Sequence, residues 1–174
     1  LVSQTTVDAT TAVGSFSLNA NTTGVYNTAI GYTTLEKNTT GSSNTAIGYS
    51  SLKVNLTGSN NIALGKNSLS KNTTGASNVA IGFEALASNT TTGQLLAVGT
   101  QALNANTTGY GNVAVGNQTL QNNTTGDRNT ALGDVALNSN TTGTYNTAIG
   151  ESVLRYNTTG TSNTAVGMST MVRN

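Results

Sequence analysis

Hydrophobic and polar residues along this chain recur with a period of 17. An alanine stands at residues 12, 29, 46, 63, 80, 97, 114, 131, 148 and 165, and the residue after each alanine is Val, Ile or Leu. A leucine follows six residues after each alanine, except in the last copy, which has Met171. A short fixed period of this kind predicts an array of stacked repeats, so chain length does not set the number of domains.

Ten copies fit between residues 10 and 174 without insertion, and residues 1–9 form a leading segment. The copies begin at residues 10, 27, 44, 61, 78, 95, 112, 129, 146 and 163, and we number the positions of each copy from 1 to 17. Position 3 is always Ala, position 5 Gly and position 12 Asn. Position 15 is Gly in every complete copy but one, where Thr92 replaces it and Gly93 follows. The chain is therefore a single repeat array.

The repeat is too short for a pair of helices and suits one coil of a β-solenoid. The stretch T-A-I-G is β-branched and bounded by Asn and Gly, which predicts a short strand. The stretch N-T-T-G predicts a turn with its glycine at positive φ, and a second short strand is predicted at positions 7–10. The expected fold is an all-β parallel β-solenoid, a β-roll or β-helix of ten 17-residue coils, forming a rod on the order of 50 Å long.

Alternation along the first strand predicts which side chains form the core. Positions 2 and 4, such as Ile30, should share one face with the leucine of position 9, such as Leu35. Ala and Gly at positions 3 and 5 then face the other way, which predicts a close approach by a second chain, with a β-bulge as the alternative. Asn at position 12, such as Asn38 over Asn55, should form a ladder of stacked amides. Since one coil has a small core, stability must come from stacking and from association.

Composition removes several classes of function. Charged residues make up 7% of the chain and the net charge is +1, so nucleic acid and anionic membranes are not expected partners. The chain has no Cys, which excludes disulfides and thiolate metal sites, and no apolar run near the roughly 20 residues of a membrane span. Hydrophobic residues are only 35%. The strict period nevertheless argues against disorder, because a disordered tract need not hold leucine at one phase.

The residues that usually carry catalysis are few. The chain has no His, which excludes histidine triads and histidine bases. Its acids are Asp8, Glu36, Glu84, Asp127, Asp134 and Glu151. Asp134 and Glu151 share position 6 of neighbouring coils, where a carboxylate pair could bind a cation or act in acid/base chemistry, or could be two solvated acids. We favour the solvated pair. The prediction is a protein that is not an enzyme, with no catalytic, metal-binding or cofactor-binding residues and no cofactor.

Three further features of the sequence concern the predicted surface. Glu36 and Lys53 should stack at position 10 as an ion pair worth about 0 to 1 kcal/mol. Nine N-x-T triplets match the glycosylation pattern, but an asparagine packed in a ladder should not be glycosylated. Three aromatic residues share position 6: Tyr32, Tyr49 and Phe83. They could stack on sugars or cover an interface between chains.

Three phrases carry a family resemblance: "NTAIGYSSLKVNLTGSNN", "NTAIGYTTLEKNTTG" and "NTAIGESVLRYNTTG". They resemble repeat tracts of bacteriophage tail fibres and related adhesive proteins, many of which carry an endosialidase-type intramolecular chaperone. The core N-x-A-x-G is also similar to head repeats of trimeric autotransporter adhesins, which form left-handed parallel β-rolls and have a shorter repeat. The resemblance covers residues 10–174. It implies a homotrimer.

The function implied by this resemblance is structural and adhesive. The segment is expected to be a shaft or head of a phage tail fibre or similar surface adhesin, acting as a rigid spacer and host-attachment element. Its partners would be two further copies of itself and a host surface polysaccharide or glycan. Its location would be the virion tail fibre or the extracellular cell surface, with viral and bacterial parents both open.

Other functions stay open as alternatives. One is an ice-binding β-solenoid that uses stacked Thr at positions 13 and 14, although Leu56 interrupts the first column. Another is the head of a bacterial trimeric autotransporter adhesin. A polysaccharide-cleaving tailspike ranks last, because only Asp134 and Glu151 group acids on one face.

Overall fold

The computed structural model describes residues 9–173 as a parallel β-solenoid. Ten strands of three residues follow one another: β1 Thr11–Val13, β2 Thr28–Ile30, β3 Thr45–Ile47, β4 Ile62–Leu64, β5 Val79–Ile81, β6 Leu96–Val98, β7 Val113–Val115, β8 Thr130–Leu132, β9 Thr147–Ile149 and β10 Thr164–Val166. They form one sheet in chain order. The predicted all-β solenoid with 17-residue coils is confirmed. The leading segment up to and including Asp8, and Asn174, lie outside the described residues.

Each strand occupies positions 2 to 4 of its repeat. Ala29 is in register with Ala46, and Ile30 with Ile47, so equivalent residues of successive coils stack directly over one another. The β-branched residues at these positions favour the extended backbone. Nine complete turns of chain link the ten strands. The strand predicted from T-A-I-G is therefore confirmed.

The second predicted strand, at positions 7–10, is wrong. This part of the coil is a run of turns in which positions 7 and 9 have left-handed backbones, as in Ser50 (φ 54°) and Leu52 (φ 49°). Ser50 N–H donates to the preceding coil at Tyr32 O (2.9 Å), whereas Leu52 N–H donates to the following coil at Ser68 O (3.0 Å). The alternating backbone thus turns the coil while still bonding both neighbours.

The predicted assignment of core and outer positions is also wrong, because the two faces of the strand are exchanged. Ala46 and Leu52 are fully buried inside the coil, whereas Ile47 at position 4 is 40% exposed. The interior of so short a coil holds one leucine, with small side chains beside it. The methyl group of Ala46, the hydroxyl of Ser51 at position 8 and the buried amides of Asn44 and Asn55 fill the rest. The larger aliphatic residues at positions 2 and 4 point outwards.

The invariant glycine at position 5 reflects contact with the same chain, and a second chain is not needed to explain it. Gly48 has φ +134°, and a Cβ built there would lie 2.6 Å from Gly65 O and 2.7 Å from Gly65 C in the next coil. Any side chain would therefore meet the neighbouring backbone as well as an unfavourable φ. The predicted close approach of a second chain at positions 3 and 5 is therefore wrong.

The glycine at position 15 is fixed for a different reason from the one predicted. Its φ lies outside the left-handed region, which in this turn is occupied by position 17, as in Ser43 (φ 58°). A Cβ at Gly24 would lie 2.6 Å from Asn21 Oδ1 and 2.9 Å from Asn38 Nδ2. Glycine is required here because the backbone carbonyl of Gly41 in the next coil and two stacked asparagines occupy the space.

Candidate interaction surfaces

The predicted ladder of asparagines at position 12 is confirmed. Asn38 Nδ2 donates to Asn21 Oδ1 (2.7 Å), and Asn55 Nδ2 donates to Asn38 Oδ1 (2.8 Å). Each amide also donates to the position 15 carbonyl of its own coil, as Asn55 does to Gly58 O (2.9 Å). These side chains are buried, which supports the expectation that the asparagine of each N-x-T triplet is inaccessible in the folded chain. Stacked, saturated amides of this kind fix the spacing of coils.

A second asparagine ladder lies at position 1, and the sequence interpretation missed it. Asn44 Nδ2 donates to Asn27 Oδ1 (3.1 Å), and the backbone N–H of Asn44 donates to the same oxygen (2.9 Å). Its amide also donates to Gly58 O at position 15 of the same copy (2.9 Å). The signal was present in the sequence, because position 1 is Asn except at Thr10 and Leu95.

The outer face of the sheet, formed by the side chains at positions 2 and 4, is uncharged in all ten strands and aliphatic throughout at position 4. Position 4 is Val, Ile or Leu in every coil, and Ile81 is 36% exposed. Position 2 is Thr in the outer coils and aliphatic in the fourth to seventh coils. We call the fully aliphatic part the central patch: Ile62, Leu64, Val79, Ile81, Leu96, Val98, Val113 and Val115. Long apolar faces are rare on the surfaces of soluble monomers.

Two of the three aromatic residues at position 6 stack on each other, and Phe16 at position 7 of the first coil packs beside them. Tyr32 and Tyr49 are stacked with ring centroids 5.5 Å apart, and Phe16 packs edge-on against Tyr32 at 6.0 Å. Lys66 Nζ lies 5.9 Å from the Tyr49 centroid and 5.8 Å from that of Phe83. Because the faces of Tyr32 and Tyr49 are turned towards each other, a sugar ring could not lie on them without separating the two rings.

The charged residues form no obvious centre. Asp134 and Glu151 are both exposed, and Asp134 Oδ1 accepts from Asn117 Nδ2 (2.9 Å). Among the described residues, no three His, Cys, Asp or Glu side chains group as metal ligands would. The predicted ion pair is confirmed, with Lys53 Nζ 3.8 Å from Glu36 Oε2. Its energetic contribution is small because both side chains are partly solvated.

The threonine hydroxyls of position 13 bond within the protein. Thr39 Oγ1 donates to Leu56 O of the next coil (2.9 Å), and Thr73 Oγ1 donates to Thr90 O (3.0 Å). The position 14 threonines all stand outside, as Thr40 and Thr74 do. This internal bonding of one of the two columns is an argument against ice binding.

One junction in the rod lacks its repeating hydrogen bonds. Elsewhere the backbone N–H groups of positions 13 and 14 donate to the next coil, as Thr73 N does to Thr90 O (2.7 Å). Among the described residues, Thr90 N and Thr91 N donate to no carbonyl of the next coil. Gly111 N, at position 17 of the sixth coil, donates to no carbonyl of the preceding coil. The amide oxygen Asn89 Oδ1 is buried without a partner. We call this junction between the fifth and sixth coils the seam.

Two departures from the repeat account for the seam. Thr92 places a Cβ where other coils have the glycine that makes room for the asparagine ladder, and Leu95 replaces the asparagine of position 1. Asn78 Oδ1 accepts only the backbone N–H of Leu95 (3.1 Å). The strand side of the same junction is intact, with β5 paired to β6 and Gly99 N donating to Ile81 O (2.7 Å). The turn before Asn89 is intact too, since Ser88 N donates to Asn104 O (3.0 Å), and Thr92 Oγ1 donates to Thr107 O (3.3 Å), so the junction is weakened only over the turn of positions 13–17.

Comparison of the chain with protein-family models, with curated proteins and with solved structures gives no match. Within the part of the chain that the structure describes, no helix is suited to crossing a membrane. The interpretation of function therefore depends on the surfaces of the solenoid itself.

Proposed function

We propose that this chain is a segment of a homotrimeric fibre, such as a phage tail fibre or a similar surface adhesin, in which it acts as a rigid spacer and a host-attachment element. The observation that carries the proposal is the outer face. It is an uncharged surface with an aliphatic residue at position 4 of every strand from β1 to β10 and a second aliphatic residue at position 2 of β4 to β7, where a monomer in water would gain from polar residues.

Three copies related by a threefold axis would each turn this face towards the axis. The axial rise of a coil is about 4.8 Å in every chain of the trimer. The aliphatic side chains of neighbouring chains can therefore meet coil against coil. Cyclic symmetry closes the assembly and leaves no apolar face in water. Two asparagine ladders along each copy provide stiffness, which a spacer requires.

Attachment to the host would use the variable positions of the repeat, which are 6, 7, 10, 11, 16 and 17. Positions 6, 10, 11, 16 and 17 carry every charged residue of the repeats except Glu84. A weak contact with a host polysaccharide at one such position is repeated in three copies, and multivalency raises its effective strength. The fibre would sit on the virion or at an extracellular surface.

The trimer is tested by measuring mass in solution. The unaltered chain of 17.6 kDa should run as three copies, 3 × 17.6 = 52.8 kDa, by light scattering after size exclusion. The double variant Ile47→Lys with Ile81→Lys places two charges on the outer face, so it should run as a folded monomer. Its far-ultraviolet circular dichroism should be unchanged, because both side chains point out of the coil.

The matched control moves the same two charges to another face. Thr40→Lys with Thr74→Lys alters exposed position 14 residues of nearby coils and should leave the trimer intact. A folded, unaltered chain that runs as a monomer at every concentration would exclude the trimer. A trimer that survives both lysines on the outer face would place the interface elsewhere.

A further inference from the structure

The seam and the central patch lie at the same level of the rod. The patch covers the fourth to seventh coils, so its midpoint is the junction between the fifth and sixth coils, where the seam lies. We infer that the central patch is where a second copy of the chain docks most tightly, and that this docking holds the seam closed. The inference rests on the proposed trimer.

The chemistry of the central patch favours a second copy over a different protein. Outside the patch, position 2 is Thr in every coil, as in Thr45 and Thr130, and within it this column becomes Ile62, Val79, Leu96 and Val113. Apolar area removed from water is therefore greatest at the middle of the rod. A partner must match a surface that repeats once per coil, and an identical solenoid has that repeat in its own backbone.

The weakened turn at the seam explains why docking there would matter. Val79 stays paired with Leu96, and the backbone bonds of positions 7–11 to the neighbouring coil are intact. At positions 13–17 the backbone N–H groups of Thr90, Thr91 and Gly111 have lost their bonds to the neighbouring coil, and Thr92 Oγ1 still donates to Thr107 O (3.3 Å). This turn can therefore open at the junction, with the strand pair and the bonds of positions 7–11 as the hinge.

Opening at this hinge would change the angle between β5 and β6 and bend the outer face at the central patch. A neighbouring rod that packs across both strands contacts the face only while it is flat. Docking thus favours the closed seam, and the closed seam favours docking, since coupling between two such equilibria is reciprocal. A monomer is expected to open at this junction before any other internal one.

Hydrogen exchange measures the opening directly. In the unaltered trimer, the exchange rate of residues 89–94 divided by that of residues 72–77, the equivalent turn of the fourth coil, gives the value for the closed seam. In the monomeric Ile47→Lys, Ile81→Lys variant, this ratio should be at least about tenfold higher, and residues 106–112 should exchange faster as well. If the exchange rate of residues 89–94, divided by that of residues 72–77, is equal in trimer and monomer, the inference is overturned.

A repaired chain shows whether the missing bonds cause the opening. The triple variant Thr92→Gly, Gly93→Ser, Leu95→Asn restores the residue pattern of the third coil, where Gly58, Ser59 and Asn61 stand at these positions. Built into the monomeric variant, it should slow exchange of residues 89–94 to the rate of residues 72–77. Fast exchange that persists in a folded repaired monomer would contradict the assigned cause.

Conservative changes test where docking is tightest. Val79→Thr with Leu96→Thr gives the central patch the threonine that position 2 has in other coils, whereas Leu132→Thr with Val166→Thr removes the same two residue types from the outer face elsewhere. The concentration at which half the trimer dissociates should rise about tenfold more in the first variant. Because the dissociation constant of a trimer varies with the square of that concentration, this corresponds to a difference of about 2.8 kcal/mol per trimer.

The possible outcomes separate the two proposals. Equal weakening by the two threonine pairs would overturn the central docking site while leaving the trimer in place. A chain that is monomeric at all concentrations overturns the proposed function and this inference together. A trimer whose seam exchanges as fast as it does in the monomer overturns the inference alone.

Discussion

Gly48→Ala should destabilise the solenoid by at least about 3 kcal/mol. The alanine would have to adopt φ near +134°, which L-residues avoid, and its methyl carbon would lie 2.6 Å from Gly65 O. The obstructing atoms belong to the backbone of the next coil, which is held by its own strand pairing and cannot move aside cheaply. Denaturant unfolding at a fixed protein concentration, followed by circular dichroism, measures the change.

Gly111→Asn is the matched control, because it also adds a side chain at a positive-φ glycine. Gly111 has φ +66°, and a Cβ there would meet only Arg128 Cγ at 3.4 Å. Asn60 already occupies the same repeat position with φ 60°. The free energy of unfolding should change by less than about 1 kcal/mol, since Asn tolerates the left-handed region. Equal losses for the two variants would mean that close approach of backbones does not fix position 5.

The architecture of this protein could be predicted because one physical requirement repeats ten times. Every coil must present the same residues at the same level, so the 17-residue period directly gives the pitch of the chain. The short strand and the asparagine ladder at position 12 followed from residue types that are nearly invariant. Periodicity within one chain here replaced the comparison of homologues.

The direction of the side chains could not be predicted from alternation. Positions 2 and 4 share one face and positions 3 and 5 the other, but alternation does not say which face is inside. The usual assumption that the larger aliphatic residue is buried favours Ile47 over Ala46. That assumption fails here because Leu52 already fills a narrow coil. A surplus of aliphatic residues on an outer face is itself a sign of association.

The turns were missed because their backbone is unusual for the residues they contain. Leu52 has φ 49° and Ser50 has φ 54°, values that L-residues seldom adopt. The local sequence does not predict these turns, since leucine and serine have no preference for the left-handed region. The stacking of coils selects this backbone, because it lets alternate N–H groups reach the coils on either side. Tertiary bonding thus overrides local preference.

Asn55→Asp should destabilise the fold at neutral pH by about 3 kcal/mol or more, although it replaces an amide nitrogen by an oxygen of similar size. Asn55 is buried, and its Nδ2 donates to Asn38 Oδ1 (2.8 Å) and Gly58 O (2.9 Å). A carboxylate there would turn an oxygen towards two acceptors and would bury a charge without a counter-ion. Removing the partner of a buried polar group commonly costs this much.

The loss should shrink as the solution is acidified. Burial disfavours the charged form, so the pKa of the new carboxyl in the folded chain should rise above its unfolded value of about 3.9. The folded state then binds more protons than the unfolded state, and the stability deficit should fall as pH drops through the raised pKa. Once protonated, the carboxyl can donate one hydrogen bond to Asn38 Oδ1.

Asn60→Asp provides the matched control for this pH dependence. Asn60 is exposed at position 17, and its backbone N–H bonds Ser42 O (3.0 Å) independently of its side chain. Its substitution should change the free energy of unfolding by less than about 0.5 kcal/mol, as surface substitutions usually do. Unfolding curves of both variants between pH 4 and 7, subtracted from those of the unaltered chain, test the ladder. A pH-independent loss for Asn55→Asp would show that its new carboxyl reaches water, and that the asparagine ladder is less closed than the structure has it.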